Sequence, residues 1–339
     1  MSRLLASVML AGALVFPGFA CADEVNVYSA RKENLIKPLL DQFSEQTGIS
    51  VNLITADADA LLQRLIAEGQ NSPADIFITV DAGRLHRAKR AGVLQAVTSE
   101  TLLSAVPAHL KDTEGFWYGL SFRARPIMYA HARVTPQELA SYEDLADPCW
   151  KGRICIRSSS NIYNQSLIAS MIAVHGEAET EKWLAGFVDN FARAPQGGDT
   201  DQLKAVAAGE CDVAIANNYY LGRLHYAAQN DADKQAGTQV ALFWPNQRDR
   251  GTHINVSGAG VTTASPNREN ALALLEFLVS DAAQVWYAEV NYEYPVKLGA
   301  DRSAAINGYG DFKADTLTLS TLGENNALAV KLMDRAGWK

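Results

Sequence analysis

The chain has 339 residues, 48% of them hydrophobic, with 30 basic against 38 acidic side chains and a formal net charge of −8. An acidic chain whose Lys and Arg are scattered has no electrostatic footprint for a phosphate backbone, which argues against a nucleic-acid partner. The length is enough for two domains of ~150 residues, and the sequence has no internal repeat or low-complexity tract.

The opening "MSRLLASVMLAGALVFPGFACADE" sets Arg3 before an apolar stretch from Leu4 to Phe16, then places Ala20-Cys21-Ala22 ahead of Asp23 and Glu24. That is the anatomy of a cleaved secretory signal. It predicts removal of residues 1–22 after Ala22 and an exported, soluble product. Cys21 is read as part of the cleavage site, because the residues before it lack the Leu that lipid anchoring asks for. No later segment approaches the ~20 apolar residues of a membrane span.

After the signal, strand and helix patterns alternate. "EVNVYSA" reads as a buried strand, and "ENLIKPLLDQFSEQTG" as a helix with Leu35, Ile36, Leu39, Leu40 and Phe43 on one face and a Gly48 stop. "ISVNLIT" is a strand, "DADALLQRLIAEG" a helix with Asp57 and Asp59 at its start, "ADIFITV" a strand and "GRLHRAKRAG" a helix. Such repeats predict an open parallel sheet with helices on both faces, which binds ligands at the carboxyl ends of its strands. "GLSFRARPIMYAH" then reads as a strand-like crossing that carries arginines in an apolar stretch. A second series follows: the strand "KGRICIRSS", helices "NQSLIASMIAVHG", "ETEKWLAGFVDNF" and "DTDQLKAVAAG", and the strand "CDVAIANNYY". After "LFWPNQRDRG" comes a returning strand "HINVSGAGVTT", then helices "NRENALALLEFLVS" and "DAAQVWYAEV" and a closing helical stretch. The predicted fold class is α/β, two doubly wound lobes joined by hinge strands. Residues 23–122 form the N-terminal lobe, to which 251–290 return; 123–250 form the C-terminal lobe, on which 291–339 pack.

Three cysteines remain after the signal, Cys149, Cys155 and Cys211. Export favours a disulfide. Cys155 lies eight residues before Tyr163 and Cys211 eight before Tyr219, each at the start of an apolar run. If those runs are neighbouring strands with their ends together, the sulfurs sit at one level, which predicts Cys155–Cys211 with Cys149 free; buried free thiols are the alternative.

Common catalytic signatures are absent. The chain has no phosphate-binding glycine loop, no dinucleotide fingerprint, no nucleophile elbow and no HExxH, and its six histidines are isolated, without zinc spacing. What stands out is tyrosine. Tyr163, in "RSSSNIYNQS", comes after a strand and at a helix entrance, and Tyr219 and Tyr220, in "AIANNYYLGRL", occupy the matching place in the second run. On a continuing strand adjacent side chains face opposite ways; where strand gives way to helix, two rings can face one volume. The structural alternative is packing aromatics with hydroxyls in water. Chemically, a cluster of phenols suits a hard, highly charged cation. A phenol ionises near pH ~10, so each costs roughly 4 kcal/mol to deprotonate near pH 7 unless a cation offsets it. Ferric iron does so, because a small trivalent hard ion prefers anionic oxygen, and three phenolates match its charge. An unfilled octahedral sphere leaves room for carbonate or another small synergistic anion, held by cationic donors. Arg123 and Arg223 are placed for that, with Arg125, Ser159 and Asn161 as further candidates, the last two in the turn at a helix N-terminus.

At these residues the sequence resembles the ferric-iron-binding periplasmic proteins that feed ABC importers. The likeness spans nearly the whole mature chain and includes "NVYSARKENLIKPLLDQF", "PADIFITVDAGRLHRAKRAGVLQ", "RARPIMY", "RSSSNIYNQSL", "YYLGRL", "SGAGVTTASPNRENALALLEFLVS" and "NYEYPV". It implies the type II periplasmic binding protein fold, closing by a hinge over Fe(III), with Tyr163, Tyr219 and Tyr220 as ligands and Arg123 and Arg223 behind them. It also implies a periplasmic location, an inner-membrane permease partner, a monomer and no enzymatic activity. Many relatives carry a His-Tyr pair after "YSAR" where this chain has Lys32 and Glu33. Glu33 is therefore a further candidate ligand, and the C-terminal lobe is expected to dominate the site. The rival readings are a same-fold binder of a polyamine, thiamine or a phosphonate, and a metal-dependent hydrolase; no suitably spaced general base supports the latter.

Overall fold

The computed structural model describes residues 23–339, and the expected signal segment lies outside the described residues. The alternation read from the sequence forms. Strand β1 (Glu24–Ser29) leads to helix α1 (Glu33–Thr47), β2 (Ser50–Thr55), α2 (Ala58–Glu68), β3 (Ile76–Val80) and α3 (Ala82–Arg90). In α1 the buried residues are Ile36, Leu39, Leu40 and Phe43, and the helix stops where Gly48 takes φ 77° and returns its N–H to the Ser44 carbonyl. The Asp57 carboxylate caps α2 by accepting from the backbone N–H groups of Asp59 and Ala60, the acidic helix start the sequence indicates.

β1 pairs in parallel with β2 and with β3. The sheet then departs from the all-parallel expectation. Strand β4 (Tyr118–Ala124) and the returning β9 (Ile254–Val261) run antiparallel to their neighbours, and the short β10 (Tyr294–Pro295) pairs antiparallel with β4, giving the order β10-β4-β9-β3-β1-β2. Alternation of residue types identifies a strand but not its direction, which is set by where the chain re-enters the sheet. A second sheet of four strands has the order β6-β7-β5-β8, made of β5 (Ile127–Ala130), β6 (Ile154–Cys155), β7 (Val213–Ile215) and β8 (Val240–Phe243).

The stretch read as one crossing is thus two strands. β4 leaves the first sheet at Ala124, and β5 enters the second at Ile127. Pro126, which lacks an amide proton, sits at the break. The return runs from β8 to β9, and β4 and β9 lie side by side with Arg123 opposite Asn255. Both connections between sheets therefore pass through one narrow region. Close packing there needs glycine: a Cβ on Gly258 would lie 2.7 Å from the Tyr118 carbonyl oxygen.

α4 (Glu100–Ala105) still belongs to the first unit, before the crossing, and packs on the helix Arg268–Phe277; in the second unit α5 (Ile162–Asp189) follows β6. Two helices read from the sequence are joined there through a non-helical residue, Gly176. α6 (Asp199–Ala208) leads into β7, and α7 (Asn218–Tyr226) leaves it. The final helices, Ser320–Glu324 and Asn326–Arg335, pack on α5, and the former also packs on α3. Buried Trp338 stands edge-on to Phe187 and Phe191 at 5.5 Å each. No single helix among the described residues is long and apolar enough to cross a membrane.

Cys155 and Cys211 form a disulfide, and Cys149 is an exposed free thiol. The bond ties β6 to the start of β7, neighbouring parallel strands from whose ends α5 and α7 depart. It closes a loop of 56 residues, a span for which the lost chain entropy of the unfolded state corresponds to about 4 kcal/mol. Replacing both cysteines by alanine is expected to lower the unfolding free energy by about 2–4 kcal/mol, read as an earlier urea midpoint; an unchanged midpoint would contradict a stabilising bond.

Candidate metal centre

The two tyrosine motifs are brought together by the same local device, a helix starting where a short strand of the second sheet ends. Asn161 precedes α5, and its side-chain oxygen accepts from the Tyr163 N–H at 3.0 Å, which fixes Tyr163 in the first turn. The link between β6 and α5 is held from behind, since the Trp338 indole N–H donates to the Arg157 carbonyl. After β7 the chain passes Ala216 and Asn217 and enters α7, with Tyr219 and Tyr220 in its first turn. Strand alternation has ended at that point, and the two rings lie 4.4 Å apart. The Tyr219 hydroxyl donates to the Tyr163 hydroxyl at 3.3 Å and accepts from the Asn217 amide. Tyr219 is buried, while Tyr163 and Tyr220 are half-buried at the mouth of the seam.

Burial is the largest influence on all three phenols. It drives the Tyr163 pKa far above the ordinary value, helped by its neighbour Tyr219 and opposed by Arg123. Tyr219 is raised in the same way, with Tyr220 adding to the effect and Arg123 and Arg223 opposing it. Tyr220 is pushed up to about 12 by burial, Tyr163 and Asp199. With no cation present, all three are therefore neutral near pH 7.

Arginines surround this cluster. Arg123, Arg125 and Arg157 stand 5.5, 5.8 and 5.7 Å from the Tyr163 ring centre. Arg223 lies 4.7 Å from that of Tyr219 and 5.5 Å from that of Tyr220. They differ in what their donors already hold. Arg125 is committed: it bonds Asp199 at 2.8 Å, Asn217 at 3.0 Å and Asn164 at 2.6 Å. Arg157 bonds the other oxygen of Asp199 at 3.3 Å. Arg123 is buried, with Nη1 only 3.5 Å from Ser257 Oγ and Nη2 without a hydrogen-bond partner among the described residues. Arg123 and half-buried Arg223 lack the close carboxylate pairing with Asp199 that engages Arg125 and Arg157, which makes them the freer pair.

The other sequence candidates lie apart from that function. Asn161 spends its oxygen as the helix cap. The Ser159 amide donates to the Lys339 carbonyl, and its own carbonyl accepts from Gln165. Glu33 is solvent-exposed as the first residue of α1, and no hydrogen bond or ion pair connects it with the tyrosines. Among the described residues there is no group of three His, Cys, Asp or Glu side chains able to hold a metal.

Five further residues of the region carry no local signal in the sequence. Asp199 is fully buried and joins Arg125, Arg157 and the Asn217 N–H. Arg157 stands in "KGRICIRSS", but its partner comes 42 residues later. Arg31 forms a buried two-pronged pair with Glu293 at 3.2 Å. Burial works against the charge on Arg31, while Glu293, with Tyr287 and Tyr219 behind it, raises its pKa. Asp81, at the carboxyl end of β3, is fully buried with φ 85° and ψ 124°, a conformation that costs a non-glycine residue about 1–3 kcal/mol.

Residues 71–309 match the family described as bacterial extracellular solute-binding protein. Over 316 residues the chain is 51% identical to iron uptake protein A1 of Synechocystis sp., covering 93% of this chain and 88% of that protein. It is 30% identical to the major ferric iron-binding protein of Neisseria meningitidis, covering 98% of each. The structure superposes with a TM-score of 0.91 on Trichodesmium IdiA (FutA) in complex with iron and citrate, at 51% identity over 93% of this chain and all 100% of that one. It superposes at 0.87 on the Bordetella ferric binding protein, at 43% identity over 93% of this chain and 99% of that one. These relatives share the two-lobe, type II periplasmic binding protein fold expected from the motifs, and this chain belongs to the bacterial extracellular solute-binding protein family.

Proposed function

We propose that the protein binds Fe(III) in the periplasm and delivers it to the inner-membrane permease of an ABC importer, as a binding protein and not an enzyme. The observation that carries this reading is the convergence of Tyr163, Tyr219 and Tyr220, two hydroxyls 3.3 Å apart and two rings 4.4 Å apart, beside arginines with unused donors. Buried phenols resist ionisation, and a trivalent cation reverses that preference. Three phenolates would cancel its charge and exclude softer competitors. Arg123 and Arg223 would hold a small bidentate anion against the remaining positions. Carbonate satisfies that chemistry, and so does citrate, which accompanies iron in the Trichodesmium relative. With Glu33 turned to solvent, the first lobe offers no ligand in place of the relatives' His-Tyr pair, so the second lobe carries the ion.

The same charges weigh against the rival solutes. A polyamine needs carboxylates, whereas this seam is ringed by guanidinium groups. A phosphonate would use the arginines but leave three adjacent phenols unexplained.

Titrating the purified protein with ferric citrate should produce a visible absorption band of ferric phenolate. Tyr163→Phe and Tyr220→Phe should each weaken iron binding by more than about 100-fold, since even outer-sphere partners of metal sites are worth 10–100-fold. An unchanged band in both variants would remove those phenols from the coordination sphere.

The pKa directions set the pH dependence. Neutral phenols are favoured in the folded, iron-free protein, so their contribution to stability is complete below the unfolded value near pH ~10. It is lost as pH rises through the Tyr220 value of about 12. Iron-free protein should therefore lose stability at alkaline pH. Iron binding runs the other way, because it displaces the protons: affinity should rise with pH and acid should release the ion. Log affinity plotted against pH, corrected for iron hydrolysis, should have a slope near three; a slope near zero would contradict phenolate ligation.

A further inference from the structure

Asp81 and Ser166 form a contact between the two lobes that lies directly behind the tyrosines. Asp81 follows β3 of the first sheet as the cap of α3, and Ser166 lies one turn after Tyr163 in α5. The Ser166 hydroxyl donates to Asp81 Oδ1 at 2.7 Å, and the same oxygen accepts from the Gly83 N–H at 2.9 Å. Asp81 Oδ2 accepts from Asn255 at 2.9 Å and faces Arg123 Nη2 at 3.8 Å. Asn255 is the cross-strand partner of Arg123 on β9, so both hinge strands converge on this one carboxylate. All five residues are buried. A carboxylate held in a strained backbone, accepting from each lobe and from the hinge, has more partners than a helix cap requires; strain of that kind marks a position where function and not local preference selects the conformation.

Building on the iron-binding reading, we infer that Asp81 is a positioning residue through which the first lobe, lacking a metal ligand of its own, acts on the site: it aligns Arg123 and, through Ser166, latches the lobes shut over the ion. The latch needs closure, because Ser166 and Asp81 belong to different lobes. Opening the cleft breaks their bond and leaves the Asp81 carboxylate to Arg123, Asn255 and the Gly83 amide. Iron retention is thereby coupled to closure without any first-lobe atom touching the metal. Ligand chemistry and retention should then separate under substitution, because the latch touches no phenolic oxygen.

The test uses the full mature protein loaded with ferric iron and challenged with excess EDTA. Ser166→Ala should leave the absorption maximum and the one-iron stoichiometry unchanged while speeding iron loss about tenfold. Asp81→Asn should do at least as much. The double variant should be no faster than Asp81→Asn, because the two residues act through one bond. Release at the parental rate in Ser166→Ala, or additive effects in the double variant, would overturn the latch while leaving the phenolate reading intact. A shifted band in Ser166→Ala would also overturn it, since the serine would then act on the coordination sphere itself. Absence of any band in the parent protein would remove the iron reading, and this inference with it.

Discussion

Three phenols in one partly dry volume are stable only as hydroxyls or as ligands of a strong cation, and the surrounding structure is arranged around that choice. Burial keeps Tyr163, Tyr219 and Tyr220 protonated, while Arg123 and Arg223 pull in the other direction. An apolar pocket would hold the protons permanently, and a solvated one would let water compete for the ion. The half-dry, guanidinium-rich seam lies between those extremes. Arg125 and Arg157 are tied to Asp199 and supply structure; Arg123 keeps an unpartnered donor. Similar residues thus serve different ends according to which carboxylate reaches them first.

The scaffold contributes position. Two short parallel strands, tied by Cys155–Cys211 from the end of β6 to the approach of β7, lead into α5 and α7, whose first turns bring Tyr163 and Tyr219 into contact. Each helix begins with an asparagine at or before its first turn, and each first turn delivers tyrosine. The first lobe arrives through β3 and ends in Asp81, whose unusual backbone aims a carboxylate at the hinge. β4 and β9 pair beside that point, so both connections between the two sheets pass next to the Asp81 carboxylate.

Much of this was legible in the sequence, for identifiable reasons. Strand and helix periodicity, the Gly48 stop and the Asp57 cap are local signals, and they appear where expected. The tyrosines could be singled out because their motifs lie at strand-to-helix junctions, and the disulfide because both cysteines stand eight residues before such a tyrosine. What stayed hidden depends on distant pairing. Asp199 meets Arg125 across 74 residues, Ser166 meets Asp81 across 85, and Arg31 meets Glu293 across 262. No spacing within one chain announces such partners. The antiparallel course of β4 and β9 was hidden for the same reason, since direction depends on the route by which the chain returns.

The central claim concerns which atoms touch the ion, and X-ray absorption at the iron edge of the loaded protein addresses it directly. Phenolate and anion ligation predicts a first shell of oxygen alone, which loses oxygen neighbours when the tyrosines are replaced by phenylalanine. Scattering from imidazole or sulfur in that shell, or a shell indifferent to those replacements, would contradict it.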